Sequence, residues 1–307
     1  LVLLSVLGAL GIIYILMVQL SADVIFTSQY YQKTIFKEKA YYISRSAYSA
    51  AMQLFAMDSA DVDAKTDMWA QELPSYNLEE ENATVTVKIE DEERKLNPNL
   101  LLSGTTPPKE NVELFRRLFR NLSLEPDSVN SLMDWMDADS ERRIPGGADG
   151  MDYPREKQPK NANLDSIEEI KYIKGMEDYY QGRVSNGMAY PGLKDVLSVW
   201  AGQKININTA EADVLLCLDD EMTSDVVAEI IRKRETTPIT KMDDLVDMAG
   251  MSHDLLYRIK KFADVKSGNF RITLIVESYD KKDSAELTAI YRRGKKTGGR
   301  LVFWQVK

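Results

Sequence analysis

The chain has 307 residues, one cysteine, one histidine, a formal net charge of −9 and a sequence pI of about 5.0. One cysteine excludes an internal disulfide, and one histidine with one cysteine argues against a dedicated zinc centre. The acidic balance argues against general nucleic-acid binding, which needs a basic face.

Residues 1–20, LVLLSVLGALGIIYILMVQL, carry no charge. About 20 apolar residues span a bilayer core as a helix. A cleaved signal segment or a buried core helix would also be apolar. A signal core is shorter, however, and ends at a small-residue cleavage site. Here helical composition runs on to Met57 with no proline before Ser59, which predicts one continuous helix over 1–60, apolar first and amphipathic later. Asp23, Lys33, Lys37 and Lys39 mark its exit from lipid. No acidic residue precedes Asp23.

A polar stretch from Asp58 to Asn82 follows. Residues 83–90 then alternate, with Val85, Val87 and Ile89 on one face, as a half-buried strand does. From about Leu96 to Ala263 the patterns are mostly helical. Phe270, Ile272, Leu274 and Val276 alternate again, as do Leu287, Ala289 and Tyr291, and the tail 301–306 is β-rich. These three strands are separated by two hairpin loops. One strand before a helical block and three after it predict an α+β fold. A small antiparallel sheet (61–95 and 266–307) packs on the long helix, and a large α-helical domain (96–265) is inserted between its strands.

The inserted block reads as a duplication. Lys95-Leu96-Asn97-Pro98-Asn99 parallels Lys204-Ile205-Asn206-Ile207-Asn208, and each copy closes on a Gly-Met pair, Gly175-Met176 and Gly250-Met251. The first copy is longer by about Asp137 to Lys160. This acidic loop (134–160) crowds Asp134, Asp137, Asp139, Glu141, Asp149 and Asp152 among Pro145, Gly146, Gly147 and Gly150. Carboxylates this dense repel one another unless a cation neutralises them, and calcium takes six to eight oxygens at flexible geometry. Asp137 and Asp139 can share one ion, and Asp149 with Asp152 can close the site across the glycine turn. A solvated loop with Arg142 and Arg143 as internal counter-ions accounts for the same residues. The spacing is not that of an EF-hand.

The second copy looks like a helix-hairpin-helix unit, a DNA-binding device whose glycine-rich turn offers amides to phosphate. The turn here, Leu218-Asp219-Asp220-Glu221-Met222, has no glycine and three acids, so phosphate would be repelled. His253 reads as a helix N-terminal residue capped by Ser252, and no nucleophile and base arrangement suggests an enzyme.

Together these elements resemble the minor pseudopilin K family of type II secretion systems. The resemblance rests on the apolar N-terminal helix, the D-W-x-D-A-D run at Asp134 to Asp139 and the following G-A-D with Asp152-Tyr153. It continues in the N-A-N-L-D-S-I-E-E-I stretch from Asn161 and the N-I-N-T-A element at Asn206 to Ala210. It implies a pilin-like sheet and an inserted domain of two SAM/helix-hairpin-helix-like halves. It also implies one or two structural Ca2+ ions on Asp134, Asp137, Asp139, Asp149 and Asp152, with Glu141 less clearly a ligand. The implied role is a minor pseudopilin that caps the tip of a type II secretion filament, or that of a related type IV pilus, nucleating assembly and supporting protein export. Its partners would be minor pseudopilins of the I and J types and the major pseudopilin. It would sit in the bacterial inner membrane by a single span, with the bulk periplasmic and no nucleic acid bound. Most pilins carry a glutamate near the mature N-terminus that pairs with a neighbour; a subunit without it could still add at the tip. A membrane-tethered helix-hairpin-helix DNA-binding protein of a competence type is the alternative, and it calls for the basic face that the composition lacks.

Overall fold

Helix α1 runs from Val2 to Met57 without a break. The structure is a computed structural model and describes residues 2–102, 108–185, 187–294 and 298–306. Hydroxyls that could disrupt the helix bond back to it instead, Thr34 to the Tyr30 carbonyl and Ser49 to that of Arg45. Residues 5–35 are all exposed. Ala40 is the first fully covered side chain, and from there Ala40, Ala47, Ala51 and Phe55 turn one face to a sheet. The helix thus has two solvents along its length: its first half meets none of the rest of the protein, and its second half is half-wrapped by it.

That sheet holds β1 (Tyr76–Leu78), β2 (Ala83–Asp91), β7 (Asn269–Ser278), β8 (Ser284–Arg293) and β9 (Gly299–Val306), antiparallel throughout and in the order β1-β2-β7-β8-β9. β2 pairs with β7 from Ala83 opposite Ser278 to Asp91 opposite Phe270. The alternation legible in the sequence fixes this register, because a slip of one residue would turn Val85, Ile89, Ile272 and Leu274 out to water. At the upper end Phe55 lies against Phe270 and Tyr291, with ring centroids 4.7 and 4.9 Å away, and Trp69 closes on Phe270 at 4.9 Å. At the lower end Ala83, Val85, Val276 and Ala285 meet Ala40. β2 therefore climbs away from the bare half of α1, and the chain leaves the sheet at the end remote from it.

Between β2 and β7 lie α2 (Lys109–Asn121), α3 (Val129–Met136), β3 (Arg183–Ser185), β4 (Met188–Tyr190) and α4 (Leu193–Val196), then β5 (Ile205–Asn206), α5 (Ala212–Leu216), α6 (Ser224–Thr236), α7 (His253–Ile259) and β6 (Ala263–Asp264). This region has its own core, with Phe115, Leu118, Phe119, Leu132, Ile170 and Leu215 almost fully buried. It is less helical than its patterns suggest. Residues 167–172 form a 3-10 helix, in which Ile167 and Ile170, with Ile173 just after it, recur at threes. β3 and β4 form a hairpin in a stretch whose strand signal is weak, and β5 pairs with β6 in parallel.

The two Asn-x-Asn elements make the same bonds. Asn97 and Asn206 each accept from the backbone amide two residues on, at 3.0 and 2.9 Å. Asn99 clamps the backbone of Leu164 through both amide atoms, at 3.0 and 2.8 Å, and Asn208 clamps Ile239 likewise, at 3.0 and 2.9 Å. The clamped residue lies 65 positions on in the first case and 31 in the second, so the acidic loop falls within the longer span.

The chain leaves and re-enters the sheet through buried carboxylates. Asp91 accepts from the Thr209 and Ser267 hydroxyls at 2.5 and 2.6 Å, from the Asn206 amide at 3.2 Å and from the Glu93 backbone at 2.8 Å. Glu93 accepts from the backbone and side chain of Asn269 at 3.0 and 2.6 Å. Glu92 takes Arg271 at 2.5 Å and bonds to Ser198. Asp63 accepts from the Ser267 backbone and from Arg293, both at 2.7 Å. Burial, and then the charge of Asp91, push Glu93 up to about 9, so at neutral pH it is protonated and its carboxyl is hydrogen-bonded to that of Asp91. Burial likewise raises Asp63 to about 6.

From the ordinary carboxyl value of about 4.5 up to about 9, the folded chain holds a proton on Glu93 that the unfolded chain has lost. Stability contributed by this group is thus fully present below that range and falls as pH rises through it. Glu93→Gln, which keeps a donor toward Asp91, flattens the fall between about pH 5 and 9, where one such group gives up to about 1.4 kcal/mol per pH unit; urea unfolding across that range reads the slope directly.

Candidate functional site

The acidic loop leaves the C-terminus of α3 and is folded around cations of the chain itself. Asp134, on the last turn of α3, is 1 % exposed. Its carboxylate accepts from the Arg143 guanidinium at 2.6 Å and the Arg143 backbone at 3.1 Å. Asp137 ends α3 and bonds to the same guanidinium. Burial raises the pKa of both carboxyls, and the Arg143 bonds pull the other way. Gly147 lets the loop close here, since a Cβ at this position would stand 2.3 Å from Asp134 Oδ2. Gly146 has φ +82, and a Cβ on it would meet the Asp127 carbonyl at 2.6 Å.

Asp149 and Asp152 form the other half of the loop. The Asp149 amide donates to Asp152 Oδ2 at 3.1 Å. Asp152 takes Lys174 at 2.7 Å and Arg142 at 3.5 Å, and the Lys174 bond holds its carboxyl below the usual range. Asp139 is exposed and accepts from the Glu141 amide at 2.8 Å; Glu141 is exposed too. The structure thus brings Asp134 together with Asp137, and Asp149 with Asp152, but does not converge all five. Arg143 and Arg142 sit where an internal counter-ion was expected. Lys174 is a third, 22 residues from Asp152, which no local pattern shows.

Two further acidic groups have cation partners. In the hairpin turn before α6, Asp219 accepts two bonds from Arg258 at 2.8 and 2.9 Å, and Glu221 a third at 2.7 Å. The turn that would cradle a phosphate is therefore filled by acids already paired to α7. His253 opens α7 behind a working Ser252 cap, whose hydroxyl accepts from Leu255 at 3.0 Å. Among the described residues, Asp58, Asp63 and Asp67 bring carboxylate oxygens within 4.8 Å of one another, a cluster the sequence reading did not single out. Arg293 bonds Asp58 at 2.8 Å and Asp63 at 2.7 Å, so this group is an ion-paired knot tying the end of α1 to β8.

Comparison with known proteins agrees with this architecture. A family model described as type II secretion system (T2SS), protein K matches residues 94–185, and a second with that description matches 205–265. Type II secretion system protein K of Pseudomonas aeruginosa (strain PAO1) is 26% identical over 164 residues, 51% of this chain and 46% of that protein. The match thus spans about half the length of that relative. The fold is similar to a chain in the crystal structure of the GspK-GspI-GspJ complex from the enterotoxigenic Escherichia coli type 2 secretion system. The TM-score is 0.70 at 18% identity, over 88% of this chain and 96% of that chain.

Arg143→Ala leaves Asp134 buried without its cation, an uncompensated charge that costs about 3 kcal/mol. Arg142→Ala, on an exposed side chain, changes stability by less than about 1 kcal/mol. Denaturant midpoints of the two variants against the parent check the contrast.

Proposed function

The chain belongs to the type II secretion system protein K family, and from that premise we propose that it is a minor pseudopilin that caps the tip of the secretion filament. The observation that carries this reading is the division of α1: residues 5–35 bare, with the uncharged apolar run at the start, and the part from Ala40 on seated on the sheet. A helix of this length and composition can cross a membrane. Before assembly its first half is held in the inner membrane as a single span, with the bulk periplasmic. In the filament the same half packs against other subunits. The region 96–265 leaves the sheet at the end remote from that span. Mass placed there obstructs a subunit stacked above and leaves the lower side free, which suits a cap. The protein's role is structural rather than enzymatic. Its partners are other minor pseudopilins, of the kind in the GspK-GspI-GspJ complex, and the major pseudopilin below them.

On this reading residues 96–265 are an inserted domain of two related halves, supported by the matching Asn97/Asn99 and Asn206/Asn208 bonds. The long loop of the first half is the proposed calcium site. Its donors are carboxylate oxygens, which suit a hard cation. Asp134, Asp137 and Asp139 would hold an ion at the α3 end, and Asp149 and Asp152 one at the other. Calcium would supply there the positive charge that Arg143 and Lys174 also bring.

Co-expression of the full chain with the minor pseudopilins of its own system should recover a complex in detergent, and no recovered pseudopilin would count against the assignment. Millimolar calcium should raise the melting temperature, since ligand at 100 times its Kd stabilises by about 2.7 kcal/mol. Asp134→Asn and Asp152→Asn should each shrink that rise; no rise in the parent would remove calcium from the account.

A further inference from the structure

β1 stops short. Its pairing with β2 ends at Tyr76 opposite Val85, and the Ser75 and Thr86 hydroxyls meet just past it at 2.8 Å. Pro74, which has no N–H to donate, comes next along that strand line. From Thr86 to Glu90 no backbone partner lies on the β1 side of β2 among the described residues. That length of strand, about 17 Å, keeps its N–H and C=O groups open along one edge.

The open edge borders a slot. A cleft of about 530 Å³ is lined by residues 86–91 of β2 and, across from them, by Lys65 and residues 69–73. No residue of α1 lines it. One side of the slot is apolar: Trp69 lies in the same core as Ile89, with Ala70 and Val87 packed on it. The other side is charged. Glu90 is shared by Lys88 at 3.2 Å and Arg94 at 2.6 Å, two cations on one carboxylate. Arg94 Nε is buried and has no hydrogen-bond partner among the described residues, while the Lys88 side chain is largely exposed. Of the other charged lining residues, Lys65 pairs with Glu211, Asp91 is spent on the buried junction and Glu72 is exposed. The group of Lys88, Glu90 and Arg94 thus keeps one positive charge in excess.

We propose that this slot takes an extended peptide segment of another protein, added to the sheet as a strand in line with β1 and carrying apolar and acidic side chains in alternation. Its main chain bonds to the edge that β1 leaves open. Side chains alternate between the two faces of a sheet, so one set packs by Trp69 and Ala70 and the other, acidic, meets Lys88 and Arg94. The slot is formed by this chain alone and stands whether or not the chain caps a filament.

The test titrates a fluorescent, end-capped peptide of alternating valine and glutamate into the full chain in detergent and follows anisotropy. The parent should bind it saturably, and Lys88→Glu should bind it about tenfold more weakly at an unchanged melting temperature. Should Lys88→Glu melt lower, Lys88→Met, which removes the charge without adding one, reads the same contact. The same peptide N-methylated at every residue keeps its side chains and charge but has no N–H to give, and it should lose at least about tenfold. A valine–lysine peptide should not bind. No saturable binding of the valine–glutamate peptide below about 1 mM overturns the slot as a binding site. Equal binding of the N-methylated peptide overturns strand addition. Equal binding of the valine–lysine peptide, or no loss with either Lys88 variant, overturns the acidic character of the occupant.

Discussion

Two parts of the protein with separate hydrophobic cores are joined through a seam that is almost wholly polar. Asp91, Glu93 and Asp63 lie within it, and their bonds reach residues far apart in the chain: Thr209 and Asn206 between β2 and β7, Ser267 and Asn269 where the chain returns, Arg293 on β8. Burying carboxylates is costly, and the seam tolerates it because each has several donors and one keeps its proton. A polar seam has geometric demands that an oily one lacks. Hydrogen bonds hold direction as well as distance, so the region between β2 and β7 is oriented on the sheet and not merely attached to it. The orientation of the acidic loop, and of any surface offered to partners, follows from that junction.

The same logic separates the two sorts of acid in the chain. At the junction, carboxylates are neutralised by neutral donors and by a retained proton. In the acidic loop and the hairpin turn they are neutralised by Arg143, Lys174 and Arg258. Lys174 and Arg258 reach their carboxylates from the surface and Arg143 from a half-buried position, while the network at the junction is buried throughout. The loop is therefore where the proposed calcium would enter, and the junction the place where stability answers to pH.

Much of the fold was legible because its signals are periodic. The uninterrupted helix of residues 2–57, the alternation of 83–91 and 269–278, and the Asn-x-Asn pairs each repeat a physical requirement that sequence displays. What escaped was set by contacts between distant residues. β1 is three residues long and exists because β2 offers it an edge. Ile167 to Tyr172 has the composition of an α-helix but winds as a 3-10 turn. Asp91, Glu92, Glu93 and Arg94 are four consecutive charged residues, yet three of the four are buried by strands and loops more than 100 positions away. In the loop, Asp134 beside Trp135 gave no hint that it is the most buried of the five carboxylates, since the residue that covers it comes nine positions later across a glycine turn.

A helix of 56 residues rises about 84 Å at 1.5 Å per residue, with no hinge of proline along it. Such a rod carries force along its axis. Under an axial load the thrust passes along α1 into the sheet through Ala40, Ala47, Ala51 and Phe55, contacts strung along the axis and loaded together in shear. A joint of that kind shares its load, whereas one held at a single end would peel. The knot of Arg293 on Asp58 and Asp63 clamps the rod just past its upper tip, where slippage would begin.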